Sequence, residues 1–421
     1  MLNFLRTFLF VFIMVSSVMA ADGQELFNAF QRICNSETDT TQTYRIKDAV
    51  ISHQDIVLHL KHGALCFIKP VKLGDSSIVY GAYFDGRGVY QIAPTERIAR
   101  QQVKHTFNTV KIKKSINRAL LFFSPEIYTQ LKAHCGHKIE TLAKSEQRYF
   151  RKSWKHINKK ESHYYPFEIL RNIYESSDRA FLFINLQEHS LSMSDYYLYN
   201  PLDAEEIKIY KNKVKGPMFK QYMYTISSYS CLLDSTGTKC RIVSEPQIKT
   251  LHSNIDTEIS DLGIMTTTMN SQYEVLKPPS QLIWMIFHDE MFMDSIIDNS
   301  GRQIKFIRHT KDSNKSNNLF LIMNQPAKTG DTLNLTYYYH GEALVFSGRR
   351  IINQSGSNWY PTYVERDSST YDITYHVPHY SDMEFTATGT KLQESIDDHR
   401  ITSIWKTETP IFILYFDYEE K

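Results

Sequence analysis

The sequence predicts a mainly β protein, with an α+β unit in its N-terminal half followed by an antiparallel β-sandwich. Aromatic residues make up 13% of the 421 residues, with 27 Tyr and 24 Phe, and such side chains suit the half-buried surface of a sheet. After residue 213 the chain consists of short apolar and alternating runs separated by turn residues. That regular spacing is typical of two packed sheets. Residues 125–175 lose the alternation and carry many Lys, Glu and Arg, which favours helices there.

The first twenty residues have the pattern of a secretory signal peptide, which we expect to be removed after residue 20. Arg6 is the one charge in this stretch, residues 7–19 are apolar, and Val18-Met19-Ala20 fits a small-residue cleavage site. The apolar run is short for a bilayer span, which needs roughly 20 residues, and an uncleaved anchor is the alternative interpretation. The pattern predicts a periplasmic or secreted protein with no transmembrane segment after cleavage.

Two domains are predicted after the signal peptide: an α+β domain at residues 21–213 and a β-sandwich domain at residues 214–421. Residues 25–34 place their apolar side chains on one helical face, so a short helix should begin the first domain. The polar, basic segment 211–216, followed by Pro217, is a candidate linker because a Gly-Pro pair interrupts regular structure.

Strand signals occur in both domains. In the first, residues 55–71 and 76–94 are each expected to form a β-hairpin, turning at His62-Gly63 and at Asp85–Gly88. The strands predicted in the second domain lie at residues 221–230, 248–260, 280–298, 301–309, 318–324 and 332–340.

The formal net charge of +2 gives no argument for nucleic-acid binding, and none is expected. The most basic stretch, residues 144–160, carries Tyr149, Phe150 and Trp154 among its lysines and arginines. We interpret it as a helix whose aromatic side chains face the core while its lysines stay in solvent. A surface that faces an anionic membrane is the alternative.

Five cysteines remain after the predicted cleavage: Cys34, Cys66, Cys135, Cys231 and Cys240. An exported protein meets an oxidising compartment, so pairing is possible. Cys231 and Cys240 flank a turn-rich segment and are the candidates for a hairpin disulfide. Because the number of cysteines is odd, at least one thiol stays outside any disulfide within the chain. Cys66, in an apolar run, is expected to pack as a small core residue.

The order of motifs in the last quarter resembles one known module. It consists of "DNSGRQIKF", "LNLTYYYHG", "NWYPTYVERDSSTYDITYHVP", "FTATGTKLQ" and "ITSIWKTETPIFILYF". This order is similar to that of the β-domain that precedes the catalytic domain in zinc aminopeptidases of the aminopeptidase-N family. Residues 63–107 are similar to a block in the α+β extension found before that domain in a divergent bacterial branch. The resemblance implies the non-catalytic front region of an aminopeptidase-N-like gluzincin metallopeptidase.

The resemblance does not extend to the family's catalytic motifs. The zinc site needs HExxH on a helix, where both histidines share a face and the Glu acts as general base, and the sequence contains none. The histidine at 340 has the wrong spacing, and the segment starting at His288 lacks the second histidine. In the GxMEN-like segment at Gly263, Thr266 stands in place of the Glu. We therefore assign no catalytic, cofactor-binding or metal residue, and expect zinc only if a catalytic domain is encoded downstream.

Other local patterns have ordinary interpretations. Residues 84–90 superficially resemble a phosphate loop, but strand residues follow where a helix should begin. The cluster His134-Cys135-Gly136-His137 has no partner cluster that would complete a tetrahedral site. Asn-x-Ser/Thr glycosylation sequons begin at Asn314, Asn334 and Asn353 and matter only in a eukaryotic source.

The sequence therefore predicts an exported, non-catalytic scaffold or binding protein built like the front half of an aminopeptidase-N relative. Its expected partners are peptides or envelope proteins, because an exposed sheet edge recruits extended peptides by strand addition. The alternative is that the chain is the N-terminal fragment of a zinc metallopeptidase whose catalytic domain is encoded after Lys421. A third hypothesis is an enzyme of another class with its site in the α+β unit.

Overall fold

The structure, a computed structural model, describes residues 21–420 with gaps. The gaps lie at 140, 161–162, 176–178, 189–193, 204, 216–219, 231–245, 278–280, 309–316, 343, 348–349, 354–357, 364–367 and 398. The predicted signal peptide and the predicted Cys231–Cys240 disulfide lie outside the described residues.

The described residues form two compact units. The first takes in the described parts of Met1–Gln147 and Ile169–Leu232, and the second those of Arg148–Glu168 and Leu233–Lys421. This division differs from the boundary predicted between residues 213 and 214. The predicted fold class is confirmed: the protein is mainly β, with an α+β first unit and a β-sandwich second unit.

The first unit contains a nine-stranded antiparallel sheet in the order β11-β10-β9-β8-β6-β5-β2-β1-β7, and a small β3–β4 pair. Its strands are β1 (Thr38–His53), β2 (Ile56–Ile68), β3 (Val71–Leu73), β4 (Ser76–Ile78), β5 (Gly81–Ile92), β6 (Ile112–Phe123), β7 (Cys135–Lys138), β8 (Leu182–Gln187), β9 (Ser194–Tyr199), β10 (Ile207–Lys215) and β11 (Lys220–Tyr229). The helices of the described chain are α1 (Gly23–Cys34), α2 (Arg97–Phe107), α3 (Pro125–Ala133), α4 (Lys144–Lys160) and α5 (Tyr164–Tyr174).

Helix α1 begins where the sequence predicts. The Asp22 carboxylate caps it by accepting a hydrogen bond from the Glu25 backbone N–H at 2.7 Å, which satisfies one of the free donors of the first turn. Leu26, Phe30 and Ile33 are buried on one face. Helices α2 and α3 bury their apolar residues in the same cluster as one face of the large sheet.

The two hairpins predicted in the first unit are wrong, because residues 56–68 and 81–92 each form one long strand, β2 and β5. Where turns were predicted, the strands continue with a shift in register. The β2–β5 register shifts between Leu60 and His62, and the β5–β6 register shifts between Asp85 and Gly88. A Cβ on Gly63 would lie 2.7 Å from the Gly86 Cα. Glycine is therefore present so that two neighbouring strands can approach closely, and the chain does not reverse there.

The predicted linker also differs from the structure. Strand β10 continues through it to Lys215, which pairs with Lys220 at the start of β11. Residues 211–215 are therefore part of a strand pair at the edge of the first sheet.

The second unit is a β-sandwich built from three sheets around one apolar cluster. A seven-stranded sheet has the order β15-β18-β13-β12-β22-β25-β24, and the two four-stranded sheets are β16-β17-β14-β21 and β19-β20-β26-β23. All pairs are antiparallel except the parallel pair β12–β22. The strands are β12 (Ile248–Ile259), β13 (Met265–Val275), β14 (Leu282–Ile286), β15 (Met291–Asp298), β16 (Lys305–Ile307), β17 (Asn318–Ile322), β18 (Thr332–Gly341), β19 (Leu344–Ser347), β20 (Arg350–Asn353), β21 (Thr362–Tyr363), β22 (Thr370–Pro378), β23 (Met383–Ala387), β24 (Thr390–Ile396), β25 (Arg400–Lys406) and β26 (Phe416–Glu420).

Aromatic side chains dominate the core of the sandwich. Phe385 of β23 lies 4.9 Å from the Tyr375 ring centroid and 6.4 Å from that of Trp405, so the small sheet packs directly on β22 and β25. Such pairs stabilise a fold by about 0.5–1.5 kcal/mol beyond the area that they bury. Because one face of β22 packs on this aromatic core, every second residue of that strand is buried.

The basic stretch forms helix α4, and its main part belongs to the second unit. Phe150 and Trp154 are buried, as predicted, and Lys152 and Lys155 are exposed. In α5, Phe167 stacks on Phe320 of β17 at 4.2 Å between ring centroids, which attaches this segment to the outside of the β14–β17 sheet. No helix in the described ranges has both the length and the apolar character needed to cross a bilayer.

Candidate functional site

The structure scatters the histidines that the sequence motifs singled out. His340 lies on strand β18, with its Nδ1 2.9 Å from the Asp294 carboxylate and its ring on Phe292. His288 lies after β14, and its Nδ1 accepts a hydrogen bond from the Glu290 backbone N–H. In the part of the chain that the structure describes, no group of three or more His, Cys, Asp or Glu side chains is arranged to hold a metal ion.

Cysteines 66 and 135 serve the first unit as packing residues. Cys66 is buried and accepts a hydrogen bond from the Thr43 hydroxyl at 3.2 Å. Burial raises the pKa of its thiol to about 11, so the reactive thiolate is rare at neutral pH. The Cys135 thiol lies beside the Leu131 carbonyl at the end of α3, and the flanking His134 and His137 are exposed.

One charged cluster in the first unit holds two carboxyl groups near one arginine. Arg118 donates two hydrogen bonds to Glu146, at 2.9 and 3.2 Å, and its Nε lies 3.9 Å from Asp85. Burial raises the pKa of Asp85, with help from Glu146, whereas hydrogen bonds from Arg118 and Tyr83 outweigh burial and lower the pKa of Glu146. The cluster joins Glu146 to β5 and β6 within the first unit, which is a structural role.

Strand β24 is the edge strand of the second unit's large sheet whose residues are most exposed. It lies last in the strand order, and among the described residues it pairs with β25 alone. All seven of its residues are exposed. Leu392 and Ile396 are 60% and 56% exposed, although both are apolar.

Two features interrupt this edge. The register with β25 shifts between Lys391 and Gln393, which identifies a β-bulge at Leu392. Lys391 and Glu394 form an ion pair of 2.9 Å across the bulge. Bulges and charged side chains are the devices by which sheet edges avoid pairing with one another.

The outer face of the same sheet carries a grid of polar side chains. Adjacent strands align His252 with Gln272 and Asn334 in one row, and Asn254 with Asn270 and Thr336 in the next. All six side chains lie on the face opposite the apolar cluster, since the residues between them are buried. Neighbouring strands are about 4.8 Å apart, and alternate residues on one strand are about 7 Å apart.

An open groove lies over this grid. It has a volume of about 230 Å³ and is lined by His252, Asn254, Asn270, Ser271, Gln272, Asn299, Asn334, Leu335 and Thr336. We call it the amide groove. Some of its groups bond to one another: the Thr336 hydroxyl donates to Asn270 Oδ1 at 2.7 Å, and His252 Nε2 is 3.3 Å from Asn254 Oδ1.

Two histidine–carboxylate pairs lie on the parallel strands β12 and β22, and one of their histidines, His252, also lines the groove. His252 is 3.6 Å from Asp372, and His376 is 3.4 Å from Asp256. The arrangement is reciprocal, because each strand contributes one histidine and one aspartate. These pairs are partly exposed and lie near one another along the strands without forming a three-residue metal group.

The sequence analysis predicted neither the amide groove nor the exposed β24 edge. The alternation of β12 and β18 predicts an outward polar face, but β13, which lies between them, was not predicted as a strand, and which residues of different strands lie side by side depends on register. The exposed apolar residues of β24 carried a weak signal. The "TKLQESI" run alternates poorly because of the bulge, and it was not predicted as a separate strand.

Comparisons with known proteins give a limited likeness. No protein-family model matches the chain, and no curated protein matches it. Among solved structures, the M1 zinc metallopeptidase from Deinococcus radiodurans is similar with a TM-score of 0.35 and 12% identity, over 41% of this chain and 42% of that one. Native yeast LTA4 hydrolase is similar with a TM-score of 0.35 and 12% identity, over 42% of this chain and 31% of that one. The chain therefore spans less than half the length of either enzyme.

Proposed function

We propose that this chain is an exported, non-catalytic binding protein that holds extended peptide segments along strand β24. The observation that carries the proposal is that all seven residues of this edge strand are exposed, with two apolar side chains among them. An added strand gains main-chain hydrogen bonds from the free edge, and alternate side chains supply the selectivity. The protein works in the periplasm or outside the cell and uses no cofactor.

The bulge favours a flexible peptide over a second copy of the chain. Two β24 edges that paired antiparallel would bring one bulge from each copy into the same ladder. A flexible peptide has to follow only the bulge at Leu392. The exposed side chains of Phe412, Ile413 and Tyr415 lie on the segment whose Tyr415 backbone bonds Thr388, just before β24 begins. They extend the apolar surface that a peptide would contact.

A peptide selected on the purified protein from a random twelve-residue display library tests this proposal. Two versions of that peptide are compared, one with backbone N-methyl groups on its odd-numbered residues and one with them on its even-numbered residues. One of the two methylation phases should weaken binding at least about tenfold, or ~1.4 kcal/mol, because its methyl groups replace the N–H donors that face β24. Methylation in the other phase should have little effect, because those amides point away from β24. Ile396→Lys should weaken binding to a similar degree.

The matched control is Leu262→Lys, which changes a 78% exposed leucine on the turn before β13. It should leave peptide affinity unchanged. Failure to select any peptide would refute the proposal, as would equal losses in both methylation phases or equal losses from Leu262→Lys and Ile396→Lys.

The second candidate function is that of the N-terminal portion of a zinc aminopeptidase-like protein. The order of motifs between residues 298 and 416 favours it. An antibody raised against this chain would then detect a considerably larger native protein that hydrolyses aminoacyl substrates. A native protein no larger than the 421 residues of this chain would rule this candidate out.

A further inference from the structure

We propose that the amide groove binds a neutral oligosaccharide. The groove is separate from the β24 edge, and the inference does not depend on peptide binding there. Its basis is the set of hydrogen-bonding groups that the sheet holds in fixed positions and leaves without internal partners.

The amides of the groove have spare hydrogen-bonding capacity. Within the described part of the chain, the side chains of Gln272, Asn299 and Asn334 make no hydrogen bond, and Asn270 uses only its oxygen. Each amide offers two donors and an acceptor with two lone pairs. A sugar hydroxyl also donates and accepts, so a polyhydroxylated ligand matches this lining group by group.

The charges around the groove argue for a neutral ligand. Its lining contains no Lys, Arg, Asp or Glu, and its one histidine, His252, already lies 3.6 Å from Asp372. An anionic ligand would find no cation there to pair with and would meet Asp372, which lies beside Asn254 in the register. A ligand bound by amides and hydroxyls alone should also be insensitive to salt, because salt screens only charged groups.

The shape of the site also fits a sugar. The two rows of side chains present polar groups in two dimensions, about 5–7 Å apart, whereas a peptide backbone presents its polar groups along one line. The volume of about 230 Å³ is below that of typical drug-sized sites, so one sugar unit fills the groove and a chain continues over the open face. Tyr338, two residues beyond Thr336 on the same face and 39% exposed, provides a ring on which the next unit can stack.

The test uses an array of neutral, sulfated and sialylated oligosaccharides probed with the purified protein, followed by calorimetric titration of a bound neutral glycan. Gln272→Ala and Asn334→Ala should each reduce affinity about three- to tenfold, and Tyr338→Ala by a similar factor. Raising NaCl from 50 to 500 mM should change affinity less than twofold. Surface positions of this kind tolerate substitution, and circular dichroism melts check that the variants remain folded.

Thr266→Ala is the matched control, because Thr266 lies on the outer face of β13 away from the groove. It should bind as the unchanged protein does, and so should Ile396→Lys, which separates this site from β24. The proposal is overturned if no glycan binds, if acidic glycans bind in a salt-dependent way, or if a peptide competes for the groove. It is also overturned if Thr266→Ala weakens binding as much as Gln272→Ala. Intact-mass analysis showing a covalent glycan on Asn334, which begins an Asn-x-Thr sequon, would overturn it as well.

Discussion

At the residue scale, burial controls the titration of His53. Its Nε2 lies 2.7 Å from the Ala180 carbonyl oxygen, and its ring packs edge-on against Tyr199 at 4.8 Å between centroids. Burial lowers the pKa of this imidazole below the ordinary value of 6.5, and the carbonyl only partly offsets the effect. The neutral ring therefore fits the fold better than the imidazolium does.

This arrangement predicts an acid-sensitive first unit. The unfolded chain binds a proton at His53 more readily than the folded chain, so the free energy of unfolding falls as pH drops below 6.5 and levels off below the lowered pKa. His53→Phe keeps the ring contact and should reduce the loss of stability between pH 7 and pH 5. Urea unfolding at several pH values measures this loss. The control His59→Phe, at a side chain 37% exposed, should retain the loss, and an unchanged pH profile in His53→Phe would contradict the prediction.

At the element scale, strand type was predictable wherever alternation was regular, and strand length was not. The alternation in β12 and β18 predicted those strands, because one face of each is buried. Strand β13 was missed because its buried Thr267 and Ser271 are polar, and the single run predicted at 280–298 is divided between β14 and β15. Strand β1 was missed, since its first half is rich in Thr, Asp and Gln. The β2 and β5 glycines were misread as turns. Glycine permits both a reversal and a close approach of strands, and only the neighbouring strand distinguishes the two.

The close approach of β2 and β5 predicts a steep penalty for Gly63→Ala. The added Cβ would clash with the Asp85 carbonyl oxygen and lie 2.7 Å from the Gly86 Cα, and both are backbone atoms. We expect a loss of about 2–4 kcal/mol in the free energy of unfolding, since the strands must separate. Gly136→Ala is the control, because its Cβ would lie 3.3 Å from the nearest atom. Chemical denaturation should show a clearly smaller loss for Gly136→Ala, because the Arg45 carbonyl oxygen need move by only a few tenths of an ångström, and an equally mild effect for Gly63→Ala would refute the explanation.

At the scale of the whole molecule, composition and motif order predicted two β-rich halves, but the division between them could not be derived from the chain order. Helix α4 precedes β8 in sequence, yet its main part belongs to the second unit. Strand β11 follows a Gly-Pro pair that resembles a linker, yet it closes the sheet of the first unit. The unit to which a strand belongs depends on its pairing with residues distant in sequence, and a local Gly-Pro pair does not indicate that pairing. The candidate sites escaped prediction for the same reason, since both depend on which strands become neighbours.

Asp55 and Tyr229 provide a test of this division. The Tyr229 hydroxyl donates to Asp55 Oδ2 at 2.7 Å, and the same oxygen accepts a hydrogen bond from the Thr95 backbone N–H at 3.0 Å. The two residues are 174 positions apart and lie on opposite sides of the boundary predicted at 213/214. If β11 belongs to the first unit, Tyr229→Phe and Asp55→Ala remove the same interaction. The double variant should then be more stable than the sum of the single losses predicts, by about 0.5–3 kcal/mol.

The control for this double-mutant cycle pairs Tyr229→Phe with Ser36→Ala. The Ser36 hydroxyl interacts with Tyr80 and the Ile33 carbonyl, whereas the Tyr229 hydroxyl donates to Asp55. Those losses should add within about 0.5 kcal/mol, because independent sites do not couple. Additive losses for Asp55 and Tyr229 would mean that β11 does not stabilise the first sheet in solution, and the boundary would return to the position that the Gly-Pro pair suggests. Coupling would instead show that the first unit includes β11, which ends at Tyr229.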